Sequence, residues 1–77
     1  MNIREEFARN LRRVRRLRGL SQEALAHDAG VDRTYISALE RSVYSATIDM
    51  IEKLAAVLAV EPAELLERQQ KARRRKG

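Results

Sequence analysis

Cysteine is absent from this 77-residue chain, and histidine occurs once, at His27. Disulfides and thiolate metal sites are therefore excluded, and His27 without neighbouring ligands reads as a surface residue. No metal or other cofactor is expected. Proline also occurs once, at Pro62, so nothing of that kind interrupts the long helical patterns before it. No apolar run approaches the roughly 20 residues that a membrane span needs. The arginine-dense N-terminal stretch is not followed by the apolar segment of a signal peptide. A cytoplasmic protein with no membrane partner is the expectation. Catalytic signatures are missing as well. No serine, histidine and acid set has supporting spacing, no phosphate-binding glycine loop occurs, and the carboxylates are scattered on predicted helix surfaces. At this length the chain reads as one domain near the lower size for a self-sufficient core, with no separate sensor unit.

The charge is informative through its placement. The net charge is +5, and Lys71, Arg73, Arg74, Arg75 and Lys76 account for all of it. Residues 1–18 carry seven arginines against Glu5 and Glu6, whereas residues 49–70 carry five acids against Lys53 and Arg68. Such polarity makes one side attractive to polyanions and leaves the other free for protein contacts. Residues 1–68 are expected to form the folded domain, and the polar residues 69–77 a basic, disordered tail.

Ile3, Phe7, Leu11, Val14 and Leu17 recur at helical spacing and predict a first helix over about residues 3–18, stopped by Gly19. Ser21 suits the N-cap of a second helix ending at Gly30. A third follows Asp32, whose carboxylate can cap it, and reaches about Arg41. Thr47 caps a fourth helix, with Asp49 in its first turn and Ile48, Ile51, Leu54, Ala55 and Leu58 as its core stripe. Pro62 opens a short fifth helix ending near Arg68.

The run QEALAHDAGVDRTYISALER, Gln22 to Arg41, meets the packing demands of a helix-turn-helix. Leu25, Ala29, Val31, Ile36 and Leu39 supply the apolar faces. Ala26 is small where the two helices pass closest, and Gly30 enters the left-handed conformation that a helix exit commonly requires. A helix placed in the major groove reads bases with its first two turns, which hold Arg33, Thr34 and Ser37. Arginine can bond guanine bidentately at O6 and N7, and threonine can offer its methyl or hydroxyl. Arg33 is the strongest base-reading candidate. Ser21, Gln22, Tyr35, Tyr44 and Ser45 are candidates for the DNA backbone, Gln22 because the helix N-terminus it begins favours a phosphate. Met50, Val57, Val60, Leu65 and Leu66 exceed what one small core needs and are assigned to a homodimer interface.

GLSQEALA, AGV, YIS, LER and EKLAAVL follow one another in the order and spacing of the lambda-repressor-like, or XRE-type, helix-turn-helix family, which the chain resembles from about Phe7 to about Leu66. DRTYIS is most similar to the recognition helix of restriction-modification controller proteins. The resemblance implies a compact, all-α, five-helix DNA-binding domain whose second and third helices form the helix-turn-helix. It also implies that Gln22 clamps the sugar-phosphate backbone and that Arg15 and Glu40 form a partly buried structural ion pair. The remaining arginines of the first helix, Arg9, Arg12, Arg13, Arg16 and Arg18, read as a solvated face. The family often has glycine after LER and proline before the fourth helix. Here Ser42 and Ala46 stand there, so that loop is expected to follow a different path.

The resulting reading is a transcriptional regulator acting as a homodimer on double-stranded DNA of dyad symmetry. The alternative is an antitoxin-type module that neutralises a partner toxin and binds DNA secondarily.

Overall fold

A computed structural model describes residues 2–68. Four α-helices follow in order, α1 (Ile3–Leu17), α2 (Gln22–Ala29), α3 (Arg33–Glu40) and α4 (Ile48–Leu58), and a single 3₁₀ turn covers Pro62–Leu65. The expected fifth α-helix is therefore only that one turn. Its backbone leaves helical pairing at Leu66, so it never reaches Arg68. The basic tail expected from Gln69 onward lies outside the described residues.

Three of the four α-helices start where a short polar side chain satisfies a free amide. Asn2 Oδ1 accepts from Glu5 N–H at 2.9 Å, Ser21 Oγ from Ala24 N–H at 2.9 Å and Thr47 Oγ1 from Met50 N–H at 3.0 Å. Asp32 departs from its expected role. Its carboxylate caps nothing, and its backbone carbonyl alone accepts from Tyr35 and Ile36 N–H. α2 ends on Gly30 at φ 73°, which lets Val31 N–H reach back to the Ala26 carbonyl at 2.9 Å. That closure sets the turn between α2 and α3.

The core gathers Phe7, Leu11 and Val14 of α1, Leu25, Ala26 and Ala29 of α2, Ile36 and Leu39 of α3, and Leu54, Ala55 and Leu58 of α4, closed by Leu65. Four residues assigned to core stripes are not in it: Ile51 is half-buried and packs against its edge, and three others lie further out. Ile3, Leu17 and Ile48 are 54%, 71% and 84% exposed, because each lies in the first or last turn of its helix, beyond the packed middle. Leu65 corrects the interface assignment in the opposite direction. It is 0% exposed, packed into the chain's own core, and so unavailable to a second copy.

α1 also carries polar anchors on its inner side. Asn10 is fully buried, and its Nδ2 donates to the carbonyls of Leu65 at 3.1 Å and Glu67 at 2.8 Å, tying the C-terminal segment to α1. Arg18 is exposed, as expected of the solvated face, but it is not free. Its guanidinium donates to the carbonyls of Leu58 at 2.6 Å and Ala59 at 3.2 Å, placing a cation at the C-terminal end of α4, where the helix dipole favours one.

Candidate nucleic-acid interface

The packing of α3 against α1 and α2 leaves only the first two residues of the helix outside. Arg33 and Thr34 are exposed, whereas Ser37, one turn further on, is half-buried between that surface and the core side held by Ile36 and Leu39. Arg33 is the first residue of α3 and Gln22 the first of α2, and Arg33 Nη1 donates to Gln22 Oε1 at 3.4 Å. The N-termini of both helices thus open on one surface. Ser21 is exposed beside Gln22, with its hydroxyl occupied as the α2 cap.

The loop after α3 is joined to this surface by aromatic contact. The Tyr35 and Tyr44 ring centroids lie 6.3 Å apart with an interplanar angle of 33°, within the range of favourable tilted ring pairs. Tyr35 is half-buried, and Tyr44 and Ser45 are exposed. Ser42 takes φ 62°, the left-handed conformation that glycine enters freely. Ser42 thus holds that conformation under local strain.

Behind the surface lies a buried ion pair. Arg15 Nε donates to Glu40 Oε2 at 2.6 Å and Arg15 Nη2 to Oε1 at 3.0 Å, a bidentate arrangement between α1 and α3. Arg15 Nη1 also donates to the Leu20 carbonyl at 2.8 Å. Gln22 Nε2 donates to Glu40 Oε1 at 3.0 Å, and Arg12 Nε stands 3.5 Å from the same oxygen. Burial pushes the Glu40 carboxyl up. The hydrogen bonds from Arg15 and Gln22, with the positive charges of Arg15 and Arg12, more than reverse this, so its pKa lies below the ordinary carboxylate value. Sequence reasoning left Gln22 and Arg12 out of this cluster. The signal available for Gln22 was its place at the start of α2, beside the end of the turn that the ion pair supports.

Nothing here resembles a metal centre, and among the described residues no group of three or more His, Asp or Glu side chains could hold an ion. No helix among the described residues is long and apolar enough to cross a membrane.

A helix-turn-helix whose two N-termini and following loop share one exposed polar surface is the arrangement of a DNA-binding domain. Residues 11–65 match the helix-turn-helix family pattern, and the chain belongs to that family. It is 45% identical over 65 residues to a hypothetical transcription factor of Neisseria meningitidis, a match covering 84% of this chain and 61% of that protein. Its fold is similar to the restriction-modification controller protein C.AhdI of Aeromonas hydrophila, with a TM-score of 0.77 and 42% identity over 80% of this chain and 94% of that one. The biofilm regulator SinR, solved in complex with DNA, is similar at a TM-score of 0.75 and 34% identity, covering 79% of this chain and 98% of that one.

Proposed function

We propose that the protein is a transcriptional regulator that binds a dyad-symmetric operator as a homodimer, of the kind that controls a restriction-modification system or its own promoter. The observation that carries this reading is the shared surface at the starts of α2 and α3, where Gln22 and Arg33 touch. Arg33, Thr34 and Ser37 read base edges in the major groove. Ser21, Gln22, Tyr35, Tyr44 and Ser45 hold the sugar-phosphate backbone on either side and fix the register. The likeness to SinR, a protein solved on DNA, supports this placement, and the likeness to C.AhdI supports the regulatory role.

One recognition helix spans only a few base pairs, so useful selectivity calls for two copies. Met50, Val57, Val60 and Leu66 are half-buried apolar side chains at the edge of the core, and they form the proposed dimer surface.

Selection of bound DNA from a random pool, followed by footprinting, tests the reading. The expected result is a twofold-symmetric site with half-sites about one helical turn, roughly 34 Å, apart. Recovery of an unsymmetric site protected over a single half-turn contradicts it, as does a monomer in sedimentation at micromolar concentration.

A further inference from the structure

Glu40 does more than neutralise Arg15. Its side chain is wholly inaccessible to solvent, and its Oε1 accepts from both Arg15 and Gln22. An ionised carboxylate can only accept, and a carboxamide has one donating and one accepting end. Glu40 therefore admits the Gln22 side chain in a single orientation, with Nε2 inward. The opposite end, Oε1, is left facing the first residue of α3, where it accepts from Arg33. Three hydrogen-bonded steps, Arg15 to Glu40 to Gln22 to Arg33, run from the buried interface between α1 and α3 to the exposed tip of the recognition helix.

We propose that Glu40 is a positioning residue for base recognition, fixing through the Gln22 carboxamide where the Arg33 guanidinium stands before DNA arrives. The inference rests on the reading of Arg33 as a base-contacting residue. Arg33 is exposed and carries a long side chain, which in isolation samples many rotamers that docking must freeze. A fixed acceptor beside it removes part of that cost. The benefit is confined to the geometry in which the guanidinium meets a base, so it appears as discrimination between sequences. A phosphate tolerates several guanidinium poses and gains little. Gln22 keeps a second N–H on Nε2 beyond the one given to Glu40, so it can hold Arg33 and still donate to a phosphate.

The test is a ratio: affinity for the selected operator divided by affinity for the same operator with the base pair contacted by Arg33 replaced. Loss of folded protein scales both affinities equally and leaves this ratio unchanged, so a purely structural role for Glu40 does not move it. Glu40→Gln presents a donor as well as an acceptor to Gln22 and releases its orientation. The expected effect is a fall in the ratio of about 3- to 10-fold, the range of one modest hydrogen bond. Gln22→Met leaves the Arg15 pair intact and removes both hydrogen bonds of the carboxamide, and the same fall is expected. This variant decides the question if Glu40→Gln fails to fold.

A mutant cycle completes the test. Gln22→Met should lower the ratio in the presence of Arg33 and leave it unchanged in an Arg33→Ala background. If Arg33→Ala collapses the ratio while Glu40→Gln or, where that does not fold, Gln22→Met preserves it, the positioning role is wrong and base reading by Arg33 stands. If Arg33→Ala itself leaves the ratio unchanged, base reading by Arg33 is wrong and the positioning role falls with it.

Discussion

The half of the molecule proposed to read DNA and the half that supports it are held to the same helix by chemically different anchors. α1 binds the end of α3 through a charged, bidentate pair, Arg15 with Glu40. It binds the C-terminal segment through the neutral amide of Asn10, which donates to two backbone carbonyls. The two anchors differ in what is left behind when they are broken. A buried charge without its partner is far more costly than a carbonyl without its donor, so the reading half is held by the less forgiving interaction. The difference also bears on function. The charged pair orients Gln22 toward the exposed start of α3, whereas Asn10, beyond its two backbone carbonyls, only accepts from Arg13 of its own helix at 3.4 Å.

Breaking the anchors separately sharpens this contrast. Glu40→Ala leaves Arg15 buried and unpaired, and denaturant unfolding should show a loss of about 3–5 kcal/mol. Asn10→Ala should lose about 1–3 kcal/mol in the same measurement, since it strands carbonyls, one of them only partly buried. Equal losses for the two variants would show that the charge on the first anchor is immaterial to stability.

Acidity separates the anchors more cleanly. The folded-state pKa of Glu40 lies below its unfolded value, so the stability gained from its ionised form is complete above the ordinary carboxylate range, about pH 4.3. That contribution is lost as pH falls through the folded value. In unfolding curves taken between neutral pH and about pH 3, Glu40→Gln should therefore show a shallower decline than the wild type. Asn10→Ala should follow the wild-type slope. A wild-type slope in Glu40→Gln would mean that other carboxylates carry the acid sensitivity.

Helix exits make a smaller comparison within each half. α2 and α4 close in the same way, with Val31 N–H donating to the Ala26 carbonyl and Val60 N–H to the Ala55 carbonyl. The left-handed residue is Gly30 in one case and Ala59, at φ 60°, in the other. Ala59→Gly relieves the Cβ strain and should stabilise by about 0.5–1 kcal/mol. Gly30→Ala should destabilise by about 1 kcal/mol. An added Cβ at Gly30 meets nothing within 4 Å, so that loss is conformational and not a clash. Denaturant unfolding reads both changes, and a loss of stability in Ala59→Gly would contradict this account of the α4 exit.

The helix-turn-helix was more legible in the sequence than the way the C-terminal segment packs, for physical reasons. The sizes of Ala26 and Gly30 and the caps Ser21 and Thr47 are local signals, decided within a turn of the residue itself. The pairing of Arg15 with Glu40 joins residues far apart in sequence, and it came from resemblance, not from spacing. Asn10 was overlooked although it lies on the inward side of α1 among Phe7, Leu11 and Val14, where an uncharged polar residue signals a backbone partner. Ile3, Leu17 and Ile48 fit the helical period, but periodicity does not reveal that a helix end overhangs the core. Leu65 shows the converse. Apolar surplus suggested an interface, yet the 3₁₀ turn tucks this side chain inside, so Leu65→Glu is expected to unfold the chain and not merely to divide a dimer.

Sequence-selective binding turns on the exposed tip of α3, and Arg33→Ala tests this most directly. Binding is measured to the selected operator and to random-sequence DNA at one fixed salt concentration. The predicted result is a loss of about 1–3 kcal/mol on the operator with a much smaller change on random DNA. Equal losses on both would reduce Arg33 to a phosphate contact and contradict base reading by this helix.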